Sequence, residues 1–413
     1  MNKLSVKDKR NLLNYLQATD NEIAIDLYCY KLLNVKVEER NYLPRPTISN
    51  KFSNKMFIKV FKLLWKFNLS TIYFIFQLTF YLIRSKKLLN DISSIKNINI
   101  GVAFSDRSFD IFNKPNNLQL PKYWCVMPWV DSSKIDKNYI KLDLLSLVTK
   151  TEIFKSFYLA KIVHKKMAKS TKYKKWITQS YTAFKWFIAR FGIEKLECSY
   201  TITDHYDRNA VMMDGIVKEK HRKGIKSELN LIQHGIVTDL RTYDFSLPYK
   251  LTMLKKVYLF DKISEEIFKE KIVDKKNQKL EVQFYNKTIN ISEITTVNSL
   301  NILFVGHSIC LDFHIHVYNE LKKKYEFTAF YKPHPTEKIS KKIESQNWII
   351  IDDVNIYPKV NFLVSYNSSL VEEYKYHSIN TFIHEFKTNL NSQKDYIKII
   401  ENEISKHQNI KHD

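Results

Sequence analysis

Glycine is scarce in this sequence, with six in 413 residues. Neither G-x-G-x-x-G nor G-x-x-x-x-G-K-[ST] occurs, which excludes the dinucleotide fingerprint and the Walker phosphate loop. Any phosphate must then be held by helix N-termini, hydroxyls, histidine or lysine. Cysteine is also scarce. Cys29, Cys125, Cys198 and Cys310 form no C-x-x-C pair and lack zinc-finger spacing. Each lies in an apolar or strand-like run, so buried thiols in a reducing compartment are expected. The first ten residues carry charges but no apolar h-region or cleavage site, so a cytoplasmic chain is expected. The glycosylation sequons at Asn286 and Asn290 are then read as chance.

Acidic residues are outnumbered. Lys and Arg total 66 against 43 Asp and Glu, a formal charge of +23. Such an excess calls for an acidic partner: nucleic acid, an anionic leaflet or a phosphorylated substrate. Part of it is solvated surface, because the chain is crowded with Lys, Asn and Ile, the residues of an AT-rich coding sequence. Hydrophobic residues at 44% and charged residues at 26% are those of a globular protein, and the length suits two domains.

One stretch without charge runs from Phe67 to Ile83, flanked by Lys62, Lys66, Arg84, Lys86 and Lys87. As a helix it would rise about 25 Å, at the short limit for a bilayer span. It also contains Asn68, Ser70, Thr71, Gln77 and Thr79. A core helix and a helix lying in the membrane interface on anionic lipid are both open readings, with a true span last.

From about residue 95 the pattern becomes that of alternating strands and helices. Apolar runs at 98–104, 123–127, 199–204, 229–235, 300–306, 327–332, 348–351, 362–365 and 381–384 read as strands. Helices are expected over 142–191, 209–221, 314–324, 338–345 and 370–376. Trp176, Phe184 and Phe187 stand at helical spacing and read as core rather than as bases' stacking partners. No RRM, KH or helix-turn-helix signature occurs, so nucleic acid is not an expected partner. The expected fold is α/β with two Rossmann-like domains. Residues 1–94 form a helical basic N-terminal region, 95–262 a first (acceptor) domain, 263–299 a connection and 300–413 a second (nucleotide-donor) domain.

Open parallel sheets bind ligands at the carboxyl ends of their strands. Four strand ends carry reactive side chains: Asp204-His205, Gln233-His234-Gly235, Lys332-Pro333-His334-Pro335, and Ser365 to Ser369 leading into Glu372 and Glu373. The last places hydroxyls and main-chain amides at a helix start, a phosphate cradle that needs no glycine. Asp106, in the loop after the 98–104 strand, joins Asp207 and Gln233 as acceptor-side candidates. His307, His314 and His316 invite a metal reading, but 314 and 316 point to different helix faces, and no metal or cofactor is expected.

The order His-Gly, Lys-Pro-His-Pro, then a Ser-Ser helix start followed by acidic residues resembles bacterial capsule and teichoic-acid transferases, including the CDP-glycerol glycerophosphotransferase-like polymerases. It is also similar to bacterial sialyltransferases, polysialyltransferases and Kdo transferases, which share a His-Pro motif. The resemblance runs from Ser199 to Glu385 and implies the GT-B fold. It implies that His334, Pro335, Ser368 and Ser369 contact the phosphate of a cytidine nucleotide, with Lys332 nearby and Glu372 toward ribose or base. His234 would be the general base by likeness to the polymerases; the sialyl- and Kdo-type enzymes use a carboxylate, which Asp204 or Asp207 would supply. Ile236-Val237-Thr238 follows His-Gly here, where the polymerases have Thr-Pro, a departure that bears against a polyol-phosphate donor.

The expected function is therefore an inverting, metal-independent glycosyltransferase of capsule or lipopolysaccharide synthesis. It would use a CMP-sialic acid- or CMP-Kdo-type donor and a glycan or lipid-linked glycan acceptor, at an anionic membrane surface. A CDP-polyol phosphotransferase of the same fold, and a non-catalytic basic nucleic-acid-binding or scaffold protein, are the alternatives.

Overall fold

Short β-rich runs separated by amphipathic helices can bury both sheet faces only by crossing over in parallel, and every strand pairing is parallel. The computed structural model describes residues 4–32, 55–85, 97–112, 118, 120–235, 237, 239–242, 245–277, 279–285, 289–294, 300–334, 339–353, 356–385 and 390–409. The chain divides into two units, Met1–Asn286 and Lys287–Asp413.

The first unit opens with helices α1 (Val6–Leu32), α2 (Lys55–Leu64) and α3 (Ser70–Ile83), the last two joined by a π-helical turn, Trp65–Leu69. Its strands are β1 (Asn99–Ala103), β2 (Tyr123–Val126), β3 (Ile140–Asp143), β4 (Ser199–Ile202), β5 (Leu229–Ile232), β6 (Leu254–Leu259) and β7 (Glu281–Phe284). They lie in the order β3-β2-β1-β4-β5-β6-β7. Helices α4 (Arg107–Phe112), α5 (Lys150–Lys169), α6 (Ala183–Glu194), α7 (Arg208–Arg222), α8 (Asp239–Thr242) and α9 (Lys262–Ile267) complete it. Thr149 and Glu152 start α5 with a reciprocal capping box. Phe184 and Phe187 are fully buried and Trp176 nearly so, as their spacing predicts.

Two expectations are corrected here. Residues 263–284 are not connection: α9 and edge strand β7 belong to the first sheet unit. Helix α1 is tied into the same unit. Asn14 donates to the carbonyl of Val211 at 3.0 Å, and Arg190, buried in α6, donates to Asn11 and Asn14. Gly215 of α7 makes room for this, because a methyl group there would overlap the Asn14 amide. In addition, β3 occupies the start of a segment read as helical from Leu142.

The second unit contains β8 (Ile291–Ser292), β9 (Asn301–Val305), α10 (Leu311–Lys322), β10 (Thr328–Lys332), α11 (Lys341–Glu344), β11 (Ile349–Ile350), β12 (Tyr357–Pro358), β13 (Phe362–Tyr366), α12 (Ser369–Tyr376), β14 (Asn380–His384) and α13 (Leu390–Asn409). Its main sheet has the order β11-β10-β9-β13-β14, and β8 pairs with β12. Both sheets are wound in two directions from their first strand. The order reverses between β1 and β4 in one unit and between β9 and β13 in the other, and such reversals open a crevice at the strands' carboxyl ends.

The 67–83 stretch is helical, with the π turn inside its start. One face is core: Phe74 and Tyr81 are buried, Trp65 donates to Ser180 at 3.1 Å, and Ser70 hydrogen-bonds His164 at 3.1 Å. The other face leaves Phe57, Leu64, Phe67, Phe76 and Ile83 exposed. Among the described residues, no helix is long and apolar enough to cross a membrane.

Candidate functional site

In the first unit, the reversal places the loop after β1 beside the loop after β4, with the end of β5 next in line. Thr203, Asp204 and His205 follow β4, and His234 follows β5. The His234 main-chain N–H donates to Nε2 of His205 at 2.9 Å, and the two rings are tilted against each other at 41°, 4.2 Å between centroids. A nitrogen that accepts carries no proton, so a neutral His205 is protonated at Nδ1. The Nδ1 of His234 lies 2.5 Å from the carbonyl of Thr203. A carbonyl only accepts, so Nδ1 donates and Nε2 is the basic nitrogen of a half-buried ring.

Asp204, between Thr203 and His205 in the same loop, is buried. It accepts from Asn209 at 3.1 Å, and its Oδ2 has no hydrogen-bond partner. Asp207 caps α7, accepting from the amides of Asn209 at 2.8 Å and Ala210 at 3.1 Å. Burial pushes both carboxyls above the usual carboxylate range, and the neighbouring Asp204 pushes Asp207 further up. Glu22 adds to the acidity from α1 and accepts from the Arg208 amide at 3.0 Å.

The remaining acceptor-side candidates serve the scaffold. Gln233 is fully buried; it donates to Gly235 at 2.9 Å and to Ser264 at 3.1 Å, and accepts from Phe260 at 2.9 Å. Both its amide nitrogen and its amide oxygen are engaged in these contacts. Asp106 accepts from the Asp131 amide at 3.0 Å, tying the loop after β1 to the one after β2.

In the second unit β9 lies between β10 and β13. His334 follows β10, Ser368 and Ser369 follow β13, and His307 follows β9 between them. The His307 and His334 rings are 5.4 Å apart and edge-on, and His307 meets Tyr366 at 5.6 Å. The Ile309 amide donates to Nδ1 of His307 at 3.2 Å, so a neutral His307 carries its proton on Nε2, a donor for an anion. Ser368 precedes α12 without capping it through its side chain; its Oγ lies 3.2 Å from Oγ of Ser365. No side chain caps the first turn of α12, whose Val371 amide donates to the Ser368 carbonyl at 3.1 Å; helix starts without a side-chain cap are where phosphate binds.

Lys332 is not a phosphate ligand in this arrangement. Its buried ammonium donates to the carbonyls of Asp353 at 2.7 Å and Ile356 at 2.8 Å, under the ring of Tyr357. Glu372 is exposed and paired with Lys375 at 2.8 Å. Pro335 lies outside the described residues. His307, which the sequence offered only as a metal candidate, is placed beside His334 by strand order alone; Glu22 is the residue that motif reading missed, and no local pattern marks it.

His314 does not join His316 or His307. It is fully buried and faces His384, Nε2 to Nε2, at 2.7 Å, while His316 is exposed. Burial, with the neighbouring His384, holds the His314 ring well below the usual histidine range, and burial brings His384 down to about 4.

No protein-family model and no curated protein matches the sequence.

Proposed function

We propose that the protein is a GT-B-type transferase that moves a sugar from a cytidine-nucleotide donor to a surface glycan or a lipid-linked glycan. The observation that carries this reading is the convergence of His334, His307 and the start of α12 at the β9 reversal. A donor phosphate there would take hydrogen bonds from two imidazoles, the Ser368 hydroxyl and main-chain amides, which needs neither a glycine loop nor a reaction metal.

The acceptor is assigned to the first unit. His234 is the favoured base, because Nδ1 is fixed on Thr203 and Nε2 is its proton-accepting atom. Asp204 is turned inward onto Asn209 and Asp207, so it fits a positioning and electrostatic part better. In a single displacement the acceptor hydroxyl loses its proton to Nε2 of His234, and its oxygen bonds to the anomeric carbon. The bond from that carbon to the phosphate oxygen breaks, the nucleotide leaves with the electron pair, and configuration inverts. The exposed apolar face of α2 and α3, with Lys59, Lys62, Lys66 and Arg84 beside it, supports docking on an anionic leaflet where lipid-linked acceptors reside.

Thermal stability with CMP, CDP, UDP and GDP, on the native chain and on His334→Ala, tests the donor assignment. Binding to the folded state at a hundredfold excess over Kd is worth about 2.7 kcal/mol. Stabilisation by CMP or CDP alone, lost in His334→Ala, is the expected result. A response to UDP or GDP alone overturns the donor, and no response at all overturns the site.

A further inference from the structure

A second cluster of reactive side chains lies outside the site above, at the start of α10. Cys310 immediately precedes that helix and His314 stands one turn further on, so both lie on one face. His384, the last residue of β14, meets them. One donor atom from each of the three lies within 4.8 Å of the others, and all three side chains are buried. The Nδ1 of His384 is 2.8 Å from the carbonyl of Glu385 and must donate to it, which leaves the Nε2 lone pair directed at His314. A backbone carbonyl holding the far nitrogen of a histidine is the usual support of a metal ligand. The far nitrogen of His314, Nδ1, is buried with no hydrogen-bond partner among the described residues. A hydrogen bond between two neutral imidazoles thus satisfies three of the four ring nitrogens and leaves one unpaired.

We propose that Cys310, His314 and His384 bind one zinc-type divalent cation. A sulfur and two imidazole nitrogens are a borderline-soft donor set suited to tetrahedral zinc, with a fourth position for water. Bonds of about 2.0–2.1 Å place tetrahedral nitrogens about 3.3 Å apart, so the two rings would part by roughly half an ångström. Binding removes one proton: the Cys310 S–H, 3.4 Å from the His307 carbonyl, loses its proton to solvent as the sulfur–metal bond forms, and the His314 proton moves from Nε2 to Nδ1, so the imidazoles release none. The cation would pin the start of α10 to β14. It would also brace the loop that carries His307, whose carbonyl accepts from the Cys310 amide at 3.0 Å. The assignment stands independently of the transferase reading.

The test uses the full-length chain with any affinity tag removed, loaded with zinc, dialysed and assayed by elemental analysis. About one zinc per chain is expected, falling by about tenfold or more in Cys310→Ser and in His384→Gln and unchanged in Cys29→Ser. Cobalt(II) on the native chain should give a tetrahedral spectrum with a thiolate-to-cobalt charge-transfer band. A folded native chain that retains no zinc overturns the proposal, as does a cobalt complex without the thiolate band. If a variant fails to fold, the cobalt spectrum of the native chain decides. Stabilisation by CMP is a separate readout, so failure of either assignment is recognised without the other.

Discussion

The main-chain N–H of His234 donates to Nε2 of His205 at 2.9 Å, while the His234 ring donates from Nδ1 to the carbonyl of Thr203. The ends of two adjacent parallel strands are thus locked to each other through histidines. This lock fixes the tautomer of His234, with Nδ1 protonated and Nε2 basic. If that nitrogen is the general base, His234→Gln should lower kcat by about 10²- to 10⁴-fold, the usual value of a positioned base. The nucleotide-induced shift in Tm should be unchanged. Comparison with Asp204→Asn decides between the two bases: loss in the asparagine variant alone would assign the role to the carboxylate.

The buried Asp204–Asp207 pair predicts an unusual pH dependence. Burial raises both carboxyls, whereas an unfolded aspartate titrates at about 3.9. The pair's contribution to stability is therefore complete below about pH 4 and is lost as pH rises through the raised folded value. Asp204→Asn keeps the acceptor for Asn209 and removes one carboxylate. It should raise Tm at about pH 7.5 and have little effect near pH 4. A drop in Tm at the higher pH would show that the carboxylate is compensated in the folded state.

Gly101 in β1 lies against the indole of Trp124 on β2, and a methyl group there would overlap the ring. The indole is buried and its Nε1 donates to the carbonyl of Pro121 at 2.8 Å, so it cannot swing aside. Gly101→Ala should cost about 1–3 kcal/mol, the usual penalty for overpacking, visible as a lower urea midpoint. An unchanged midpoint would mean the sheet yields at β1.

The exposed face of α2 and α3 predicts lipid selectivity. Sedimentation with vesicles containing phosphatidylglycerol should exceed that with phosphatidylcholine alone and should fall with added salt. Replacing Phe57, Phe76 and Ile83 together by Ser should weaken it while leaving the buried contacts of Trp65 and Tyr81 in place. Equal binding by the triple variant would move any membrane contact to another surface.

Local pattern was enough to place β4, α7 and β5, or β9, α10 and β10, because alternation of apolar runs with helix-period segments is written in adjacent residues. It was enough, too, to mark His234, His334 and Ser368, because each closes or follows such a run. Edge strands β3 and β7 were not legible. They are short, and their exposed residues give only weak alternation.

The sequence by itself determined the α/β class, the parallel crossovers and the strand ends at which reactive side chains stand, since these follow from short-range hydrophobic period. Only the tertiary structure decided which strand ends are neighbours. That order put His307 beside His334, and it engaged Gln233 and Lys332 in the scaffold instead of in a site. It also seated α1 against α7, through an Asn14–Val211 hydrogen bond spanning 197 residues, and His314 against His384, 70 residues on. Such contacts depend on sheet order and on polar groups finding partners once water is excluded, and a linear pattern carries neither.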